Sequence, residues 1–187
     1  MPIKDLFKQR RNSAMNLGQI YFWTSTIKDW SCVLTDDIYK LIILNSLKEL
    51  IARRTIKIYG YVIMPNHIHI IWEMLQMNGK EMPHASFTKF TSHKIIEDLK
   101  FRNLILLQKF IVKESDRNFR LWQRDSLAIL IDSRDMLEQK LDYIHKNPLQ
   151  ERWNLAQIPE DYLWSSAKFY MNEIDPFELI SDYRTVF

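Results

Sequence analysis

Cysteine and glycine are both scarce in this chain, and each shortage removes a class of function. The 187 residues contain one cysteine, Cys32, which cannot form an internal disulfide or a cysteine-based zinc cage. The three glycines, Gly18, Gly60 and Gly79, are isolated, so they cannot form a glycine-rich phosphate loop of the Walker or dinucleotide type. The sequence therefore predicts no nucleotide cofactor, and it favours a reducing compartment.

Long hydrophobic runs are absent as well. No apolar stretch reaches the roughly 18 residues that a membrane-spanning helix needs, and the N-terminal stretch lacks the apolar core of a secretory signal. Hydrophobic residues at 47% and charged residues at 26% give a normal globular balance. We therefore expect a single domain over 1–187 with no membrane partner, with an N-terminal arm over 1–17 and a C-terminal extension over 151–187.

The order of the predicted elements favours an α+β fold. Apolar and β-branched patterns predict strands at 19–27, 55–64, 67–76 and 126–131, and helices at 35–54, 85–101 (extending toward 112) and 133–146. The short Pro65-Asn66 link joins the second and third strands as an antiparallel hairpin. This order predicts an antiparallel β-sheet with helices packed on one face, in a ferredoxin-like or RRM-like arrangement.

Two histidines stand one residue apart in the third predicted strand, within the segment YGYVIMPNHIHIIW (59–72). Because side chains alternate along a strand, His67 and His69 share one face about 7 Å apart, and Ile68 and Ile70 take the other face. This spacing suits two ligands of one metal ion. A histidine pair that is exposed, or satisfied in the core, fits the spacing equally well.

The predicted helix at 133–146 has an apolar stripe at i, i+4 and i+7, formed by Leu137, Leu141 and Ile144. Tyr143 and Asn147 lie one turn apart on a neighbouring side of the helix. Asn147 offers an amide oxygen to a metal, and Tyr143 offers a phenol. The alternatives are a boundary aromatic for Tyr143 and a helix C-cap for Asn147, since Pro148 is predicted to stop the helix.

The segment 86–124 is basic, with nine Lys and Arg residues against four Asp and Glu. Such a segment can contact DNA phosphates, and Trp122 can stack on a base or pack in the core. A solvated helical face is the plainer interpretation. The candidates for phosphate contacts are Lys89, Lys94, Arg120 and Arg124.

Three motifs in the same order resemble the HUH single-tyrosine transposases, and above all their REP-associated branch. They are YVIMPNHIHIIW, LWQRD, and YIHKNP followed by PEDYLWSSA, between about residues 18 and 170. The resemblance implies that His67 and His69 are metal ligands, that Tyr143 is the nucleophile and that Asn147 is a third ligand. The chain departs from the family at Leu127-Ala128 and in NPLQERWNL, so no DNA sequence preference is carried over.

The activity implied by this resemblance is metal-dependent DNA transposition or nicking. Tyr143 would attack a phosphate in single-stranded or hairpin DNA, such as a repetitive palindromic element. The products would be a 5′-phosphotyrosine and a free 3′-OH, followed by strand transfer. Imidazole and amide ligands tolerate Mg²⁺ or Mn²⁺, and Mn²⁺ is the better chemical match. The resemblance implies a monomer or homodimer in the bacterial cytoplasm.

Two other functions stay open at this point. One is a non-catalytic, domesticated DNA-binding protein that keeps the fold. The other is a small metal-binding or structural protein in which the motifs are coincidental. Metal-dependent cleavage of DNA distinguishes the transferase from both, and DNA affinity distinguishes the two alternatives from each other.

Overall fold

The computed structural model describes residues 14–115 and 117–186, so residues 1–13 of the predicted arm lie outside the described residues. The strands are β1 (Ile20–Thr26), β2 (Ile56–Ile63), β3 (His67–Met74) and β4 (Leu127–Leu130). The helices are α1 (Asp37–Ala52), α2 (Pro83–Arg102), α3 (Leu104–Gln108), α4 (Arg134–Lys146) and α5 (Ala167–Asn172). Over the described ranges, no helix combines the length and the hydropathy needed to cross a bilayer.

The four strands form one antiparallel sheet in the order β2-β3-β1-β4. With α1 between β1 and β2, and α2 and α3 between β3 and β4, the chain follows the β-α-β-β-α-β order of a ferredoxin-like fold. The predicted fold class and the β2–β3 hairpin are confirmed. The segment after residue 150 lies along β2, where Ser165 pairs with Val62 and Ile180 with Ile58.

Helices cover both faces of the sheet, so the expectation that they share one face was wrong. One core, the α1/α2 face, gathers Trp23, Ile70 and Trp72 with residues of α1 and α2. The other, the α4 face, is built around Phe22 and Ile71 and is covered by Leu137, Leu141 and Ile144 of α4. The central strands are apolar on both sides, and such strands are buried only when both faces are covered.

Two asparagines end helices differently from the prediction. The helix from residue 85 does not continue toward 112, because Asn103 leaves the helical conformation (φ −153°, ψ 80°). Its side chain accepts a hydrogen bond from Leu106 N and so caps α3. Asn147, in contrast, stays helical (φ −57°, ψ −43°) in front of Pro148 and leads into a 3₁₀ turn, Asn147–Leu149. Proline disfavours but does not forbid that conformation in the preceding residue.

Gly60 lets α4 approach β2 closely. The pairing of β2 with β3 shifts between Ile58 and Gly60, which is a β-bulge. A Cβ added at Gly60 would overlap Leu141 Cδ2 and would lie 3.2 Å from Ile144 Cδ1. A side chain at this position would therefore displace Leu141, so the absence of one at Gly60 permits the short distance between α4 and β2.

A buried histidine fixes the last turn of α4 to β2. His145 is 4% exposed, and its Nε2 lies 2.8 Å from Ser166 Oγ. The Ser166 hydroxyl also accepts a hydrogen bond from Tyr61 N at 3.0 Å. Burial lowers the pKa of His145 to about 4, with a weaker opposing effect from Asp142. The imidazole is therefore neutral at pH 7.

We expect His145 to make the fold less stable in mild acid. Its folded pKa is depressed from 6.5 to about 4, so at pH 5 the unfolded chain binds a proton that the folded chain does not. The contribution of His145 to the free energy of unfolding is fully present above pH 6.5 and is lost as the pH falls toward 4. This residue alone accounts for about 2 kcal/mol at pH 5.

Urea unfolding at pH 7 and pH 5 measures this loss. The glutamine of His145→Gln can still hydrogen-bond to Ser166 but does not titrate. The stability of this variant should therefore fall less between the two pH values, by about 2 kcal/mol. The pKa values of His67 and His84 are also lowered, chiefly by burial, so the variant should retain part of the slope. An equal loss in both proteins would exclude His145 as a source.

Candidate functional site

Strand β3 presents His67 and His69 to the α4 face, as the alternation along the strand predicts. Both are 5% exposed, and their ring centroids are 4.7 Å apart. Ile68 and Ile70 point into the opposite core. In the sheet register, His69 stands opposite Thr24 of β1 and Val62 of β2. The pair therefore lies in the middle of the sheet, beneath the helix that carries Tyr143.

Each histidine is held by its Nδ1 atom. His67 Nδ1 lies 2.7 Å from Asn66 Oδ1, and His69 Nδ1 lies 2.7 Å from Thr24 Oγ1. Because an amide oxygen can only accept, His67 carries its proton on Nδ1 and has a lone pair on Nε2. His69 Nε2 is buried and has no hydrogen-bond partner in the described part of the chain. Such tethering of one ring nitrogen is typical of histidines that bind a metal through the other.

Both imidazoles are neutral at pH 7. Burial, and then the positive charge of Arg152, lowers the pKa of His67 to about 4. Burial also holds the pKa of His69 well below its ordinary value, with further contributions from His67 and Lys140. Neutral imidazole is the form that coordinates a cation.

Tyr143 projects from α4 beside this pair. Its ring centroid is 5.4 Å from that of His69 and 6.1 Å from that of Phe22. The side chain is 45% exposed, and its hydroxyl makes no hydrogen bond to any described residue. A substrate can therefore reach this phenol, and its hydroxyl contributes no hydrogen bond to the fold of the described residues.

Asn147 is fully buried, although its side chain has no partner. Its backbone N–H bonds to Ile144 O, so the residue does act as the C-cap of α4. Its Oδ1 and Nδ2 atoms, however, make no hydrogen bond within the described residues. A buried amide without partners costs about 1–3 kcal/mol, and the C-cap interpretation does not explain this side chain. Its role as a ligand stays a prediction.

The side chains of His67, His69 and Asn147 carry lone-pair atoms of the kinds that bind a divalent cation. His69 Nε2 and Asn147 Oδ1 are buried acceptors without partners, and His67 offers a third lone pair. No cluster of three or more His, Cys, Asp or Glu side chains occurs among residues 14–115 and 117–186. A cation held here would therefore keep coordination positions for phosphate or water oxygens.

Replacing Asn147 with leucine should separate stability from metal binding. Leucine has the same branched shape but no polar atoms, so we expect the metal-free fold to gain about 1 kcal/mol. The rise in melting temperature produced by Mn²⁺ should shrink, since a ligand is lost. Thermal unfolding in EDTA and in excess Mn²⁺ measures both effects. A Mn²⁺-induced rise equal to that of the wild type would exclude Asn147 as a ligand.

The four basic residues proposed for DNA contacts are all ion-paired. Lys89 pairs with Glu81 at 2.8 Å and Lys94 with Glu97 at 3.3 Å, while Arg120 and Arg124 share Glu114. Lys89, Arg120 and Arg124 line one cleft of about 890 Å³, but Lys94 does not. Their contact with DNA stays a prediction.

The cleft lies on the face of the sheet opposite to His67 and His69. Trp23, which belongs to the α1/α2 face, is part of its lining. Trp122 also lines it but is 5% exposed and donates from Nε1 to Thr91 Oγ1 at 3.0 Å. Of the two interpretations of Trp122, core packing is therefore the one that the structure supports.

Four residues near the histidines were not identified from the sequence: Phe22, Thr24, Lys140 and Arg152. The first two depend on the register of β1 against β3, which no local pattern encodes. Lys140 could have been found, because Lys140, Tyr143 and Asn147 follow an i, i+3, i+7 spacing on one side of α4. The Arg152 guanidinium lies 5.3 Å from the Trp153 ring, which in turn lies 6.1 Å from the His67 ring.

Several solved structures resemble this chain. One is a REP-associated tyrosine transposase bound to a REP hairpin, with a TM-score of 0.59 and 18% identity over 90% of this chain and 89% of the other. Another is a candidate transposase from Deinococcus radiodurans R1, with a TM-score of 0.43 and 14% identity over 74% of this chain and 96% of the other. No family model and no curated protein matches the sequence. The chain shares the fold of the REP-associated tyrosine transposase, and at that level the resemblance indicated by the motifs is confirmed.

Proposed function

We propose that this protein is a DNA strand transferase or nickase of the transposase type, with Tyr143 as its nucleophile. The observation that supports the proposal is the position of Tyr143 beside two neutral histidines. Its phenol is half-exposed and makes no hydrogen bond to the described residues. Hairpin DNA is the substrate that we propose, because the similar transposase was solved bound to a REP hairpin.

The proposed reaction is a transesterification on the DNA backbone. Tyr143 Oη forms a bond to phosphorus, the bond from phosphorus to the 3′-oxygen breaks, the phenol proton leaves to solvent, and the 3′-oxygen gains a proton. The products are a 5′-phosphotyrosine and a free 3′-OH. Because the phosphotyrosine is still a phosphodiester, attack by a 3′-OH rejoins DNA without a nucleotide cofactor. This agrees with a sequence that has no phosphate loop.

The residues around the phosphate have separate roles in this proposal. Asn66 and Thr24 hold the imidazoles by Nδ1, so that His67 and His69 direct Nε2 away from those contacts. With Asn147, the two histidines would hold Mg²⁺ or Mn²⁺, which supplies positive charge to the phosphate oxygens. The basic cleft lined by Lys89, Arg120 and Arg124 would hold a more distant part of the DNA.

A covalent-adduct assay tests the proposal. The protein is incubated with Mn²⁺ and a pool of hairpin oligonucleotides that have randomised single-stranded flanks. The pool carries either a 3′-end or a 5′-end label. On a denaturing gel, the 3′ label should move with the protein, and the 5′ label should appear in shorter products that a polymerase can extend. EDTA should abolish both signals.

Peptide mapping identifies the nucleophile in the same sample. Trypsin releases residues 141–146, LDYIHK, a peptide with one tyrosine, and after nuclease digestion this peptide should carry the nucleotide mass. An adduct on another peptide would overturn the assignment of Tyr143. DNA binding in a native gel without any adduct would instead support the non-catalytic DNA-binding protein.

A further inference from the structure

The ring of Phe22 contacts three groups of the candidate site. His69 stacks on it at 5.2 Å between centroids with an interplanar angle of 22°, and Tyr143 meets it edge-on at 6.1 Å. The third group is the ammonium of Lys140, which lies 5.2 Å from the Phe22 ring centroid. Phe22 itself is 4% exposed. The lysine is therefore held at the histidine–tyrosine site and does not extend away from it.

Lys140 differs from the other long basic side chains of α4. Arg134 pairs with Glu138 at 2.8 Å, and Lys146 pairs with Asp142 at 2.7 Å. Among the described residues, Lys140 has no carboxylate partner and is half-buried. A partly buried ammonium that rests on an aromatic ring lacks a counter-charge, and a bound anion would supply it.

The position of Lys140 on the helix places it beside the nucleophile. It precedes Tyr143 by three residues, so the two side chains are neighbours on the same side of α4. A phosphodiester that reaches the Tyr143 hydroxyl and the Nε2 atoms of the histidines must approach the rings that surround Phe22. The Lys140 ammonium lies against the same Phe22 ring.

We propose that Lys140 is a positioning residue that holds a non-bridging oxygen of the phosphodiester attacked by Tyr143. This inference rests on the proposed function. Lys140 remains an ammonium throughout and takes part in no bond exchange, so the bonds formed and broken are those of the tyrosine reaction alone. Its charge fixes the phosphate against the nucleophile and offsets the negative charge that develops on the equatorial oxygens.

Single-turnover cleavage of an oligonucleotide that wild-type protein cuts tests this role. At saturating DNA, Lys140→Gln should lower the rate about a hundredfold, as loss of one charge-stabilising donor does. Lys140→Arg keeps the charge and should stay within about tenfold of wild type. Lys48→Gln removes the same charge from an exposed position on α1, on the opposite face of the sheet, and should cleave at the wild-type rate.

DNA affinity provides a readout that a purely structural lysine would not change. In a Tyr143→Phe background, which cannot react, Lys140→Gln should reduce the slope of log affinity against log salt by about 0.7–0.9, the value for one phosphate contact. The slope for Lys48→Gln should match that of the background protein. Equal melting temperatures for the variants would show that the fold is intact.

The outcomes separate this proposal from the one on which it rests. Wild-type cleavage together with full activity of Lys140→Gln would overturn the role of Lys140 and leave the proposed function standing. Equal losses in Lys140→Gln and Lys140→Arg would also overturn it, because the charge would not then be the cause. A wild-type protein that never forms an adduct would overturn both.

Discussion

Tyr143→Phe should abolish the covalent protein–DNA adduct, lowering the rate of its formation by at least about 10⁴-fold, the scale seen when an enzyme loses its nucleophile. The substitution removes one oxygen, and that oxygen has no hydrogen-bond partner among the described residues. The ring is 45% exposed and keeps its contacts with Phe22 and His69. We therefore expect the free energy of unfolding to change by no more than about 0.5 kcal/mol.

A second tyrosine serves as the matched control. The hydroxyl of Tyr170 donates to Tyr59 O at 2.6 Å, so Tyr170→Phe should cost about 1 kcal/mol of stability. Tyr170→Phe should nevertheless still form the adduct with DNA, because Tyr170 lies on α5 and not beside His67 and His69. Denaturing gels and urea unfolding of both variants compare the two effects. An adduct that survives in Tyr143→Phe would contradict the assignment of the nucleophile.

Gly60→Val should destabilise the fold and displace α4. A Cβ at this position overlaps Leu141 Cδ2, and the valine methyl groups would also approach Ile144 and Ser166. Overpacking of this kind costs about 3 kcal/mol at the upper end of its usual range. Because Leu141 and Ile144 flank Tyr143 on α4, the variant should also cleave DNA about a hundredfold more slowly, as expected for a misplacement near 1 Å.

A double variant tests whether the close approach of helix and sheet is the cause. Leu141→Ala alone should cost about 2–5 kcal/mol, because it opens a cavity. In the double variant, the valine side chain occupies part of that cavity. The loss of stability in the double variant should therefore be smaller than the sum of the two single losses by about 1 kcal/mol or more. Strictly additive costs would mean that Gly60 is needed for the β-bulge and not for its distance to α4.

The sequence predicted those features that depend on local periodicity. The alternation in HIHII placed His67 and His69 on one face of the strand. The 3.6-residue period placed Leu137, Leu141 and Ile144 on the buried side of α4. The β-bulge near Gly60 could not be predicted, since an isolated glycine in a strand has several explanations. The helical conformation of Asn147 before Pro148 was missed because a statistical preference of the backbone gave way to tertiary packing.

Charge pattern was less informative than periodicity. The excess of lysine and arginine over 86–124 is real, but each of the four residues selected from it pairs with a carboxylate. Glu114, which pairs with both Arg120 and Arg124, lies inside the same basic segment. A count of charges cannot show which cations are neutralised by their neighbours. Lys140 was overlooked, although it follows an i, i+3, i+7 spacing with Tyr143 and Asn147, because the charge count covered only residues 86–124.

The unequal burial of the site residues has a consequence for how such a protein can change over generations. His67, His69 and Asn147 are enclosed in the fold, whereas Tyr143 is half-exposed and its hydroxyl has no hydrogen-bond partner among the described residues. In a chain with the proposed function, loss of the tyrosine would leave the fold intact, and cellular quality control, which responds to unfolding, would not detect the change. A single nucleotide change would thus turn such a transferase into a protein that keeps its fold but no longer cuts DNA.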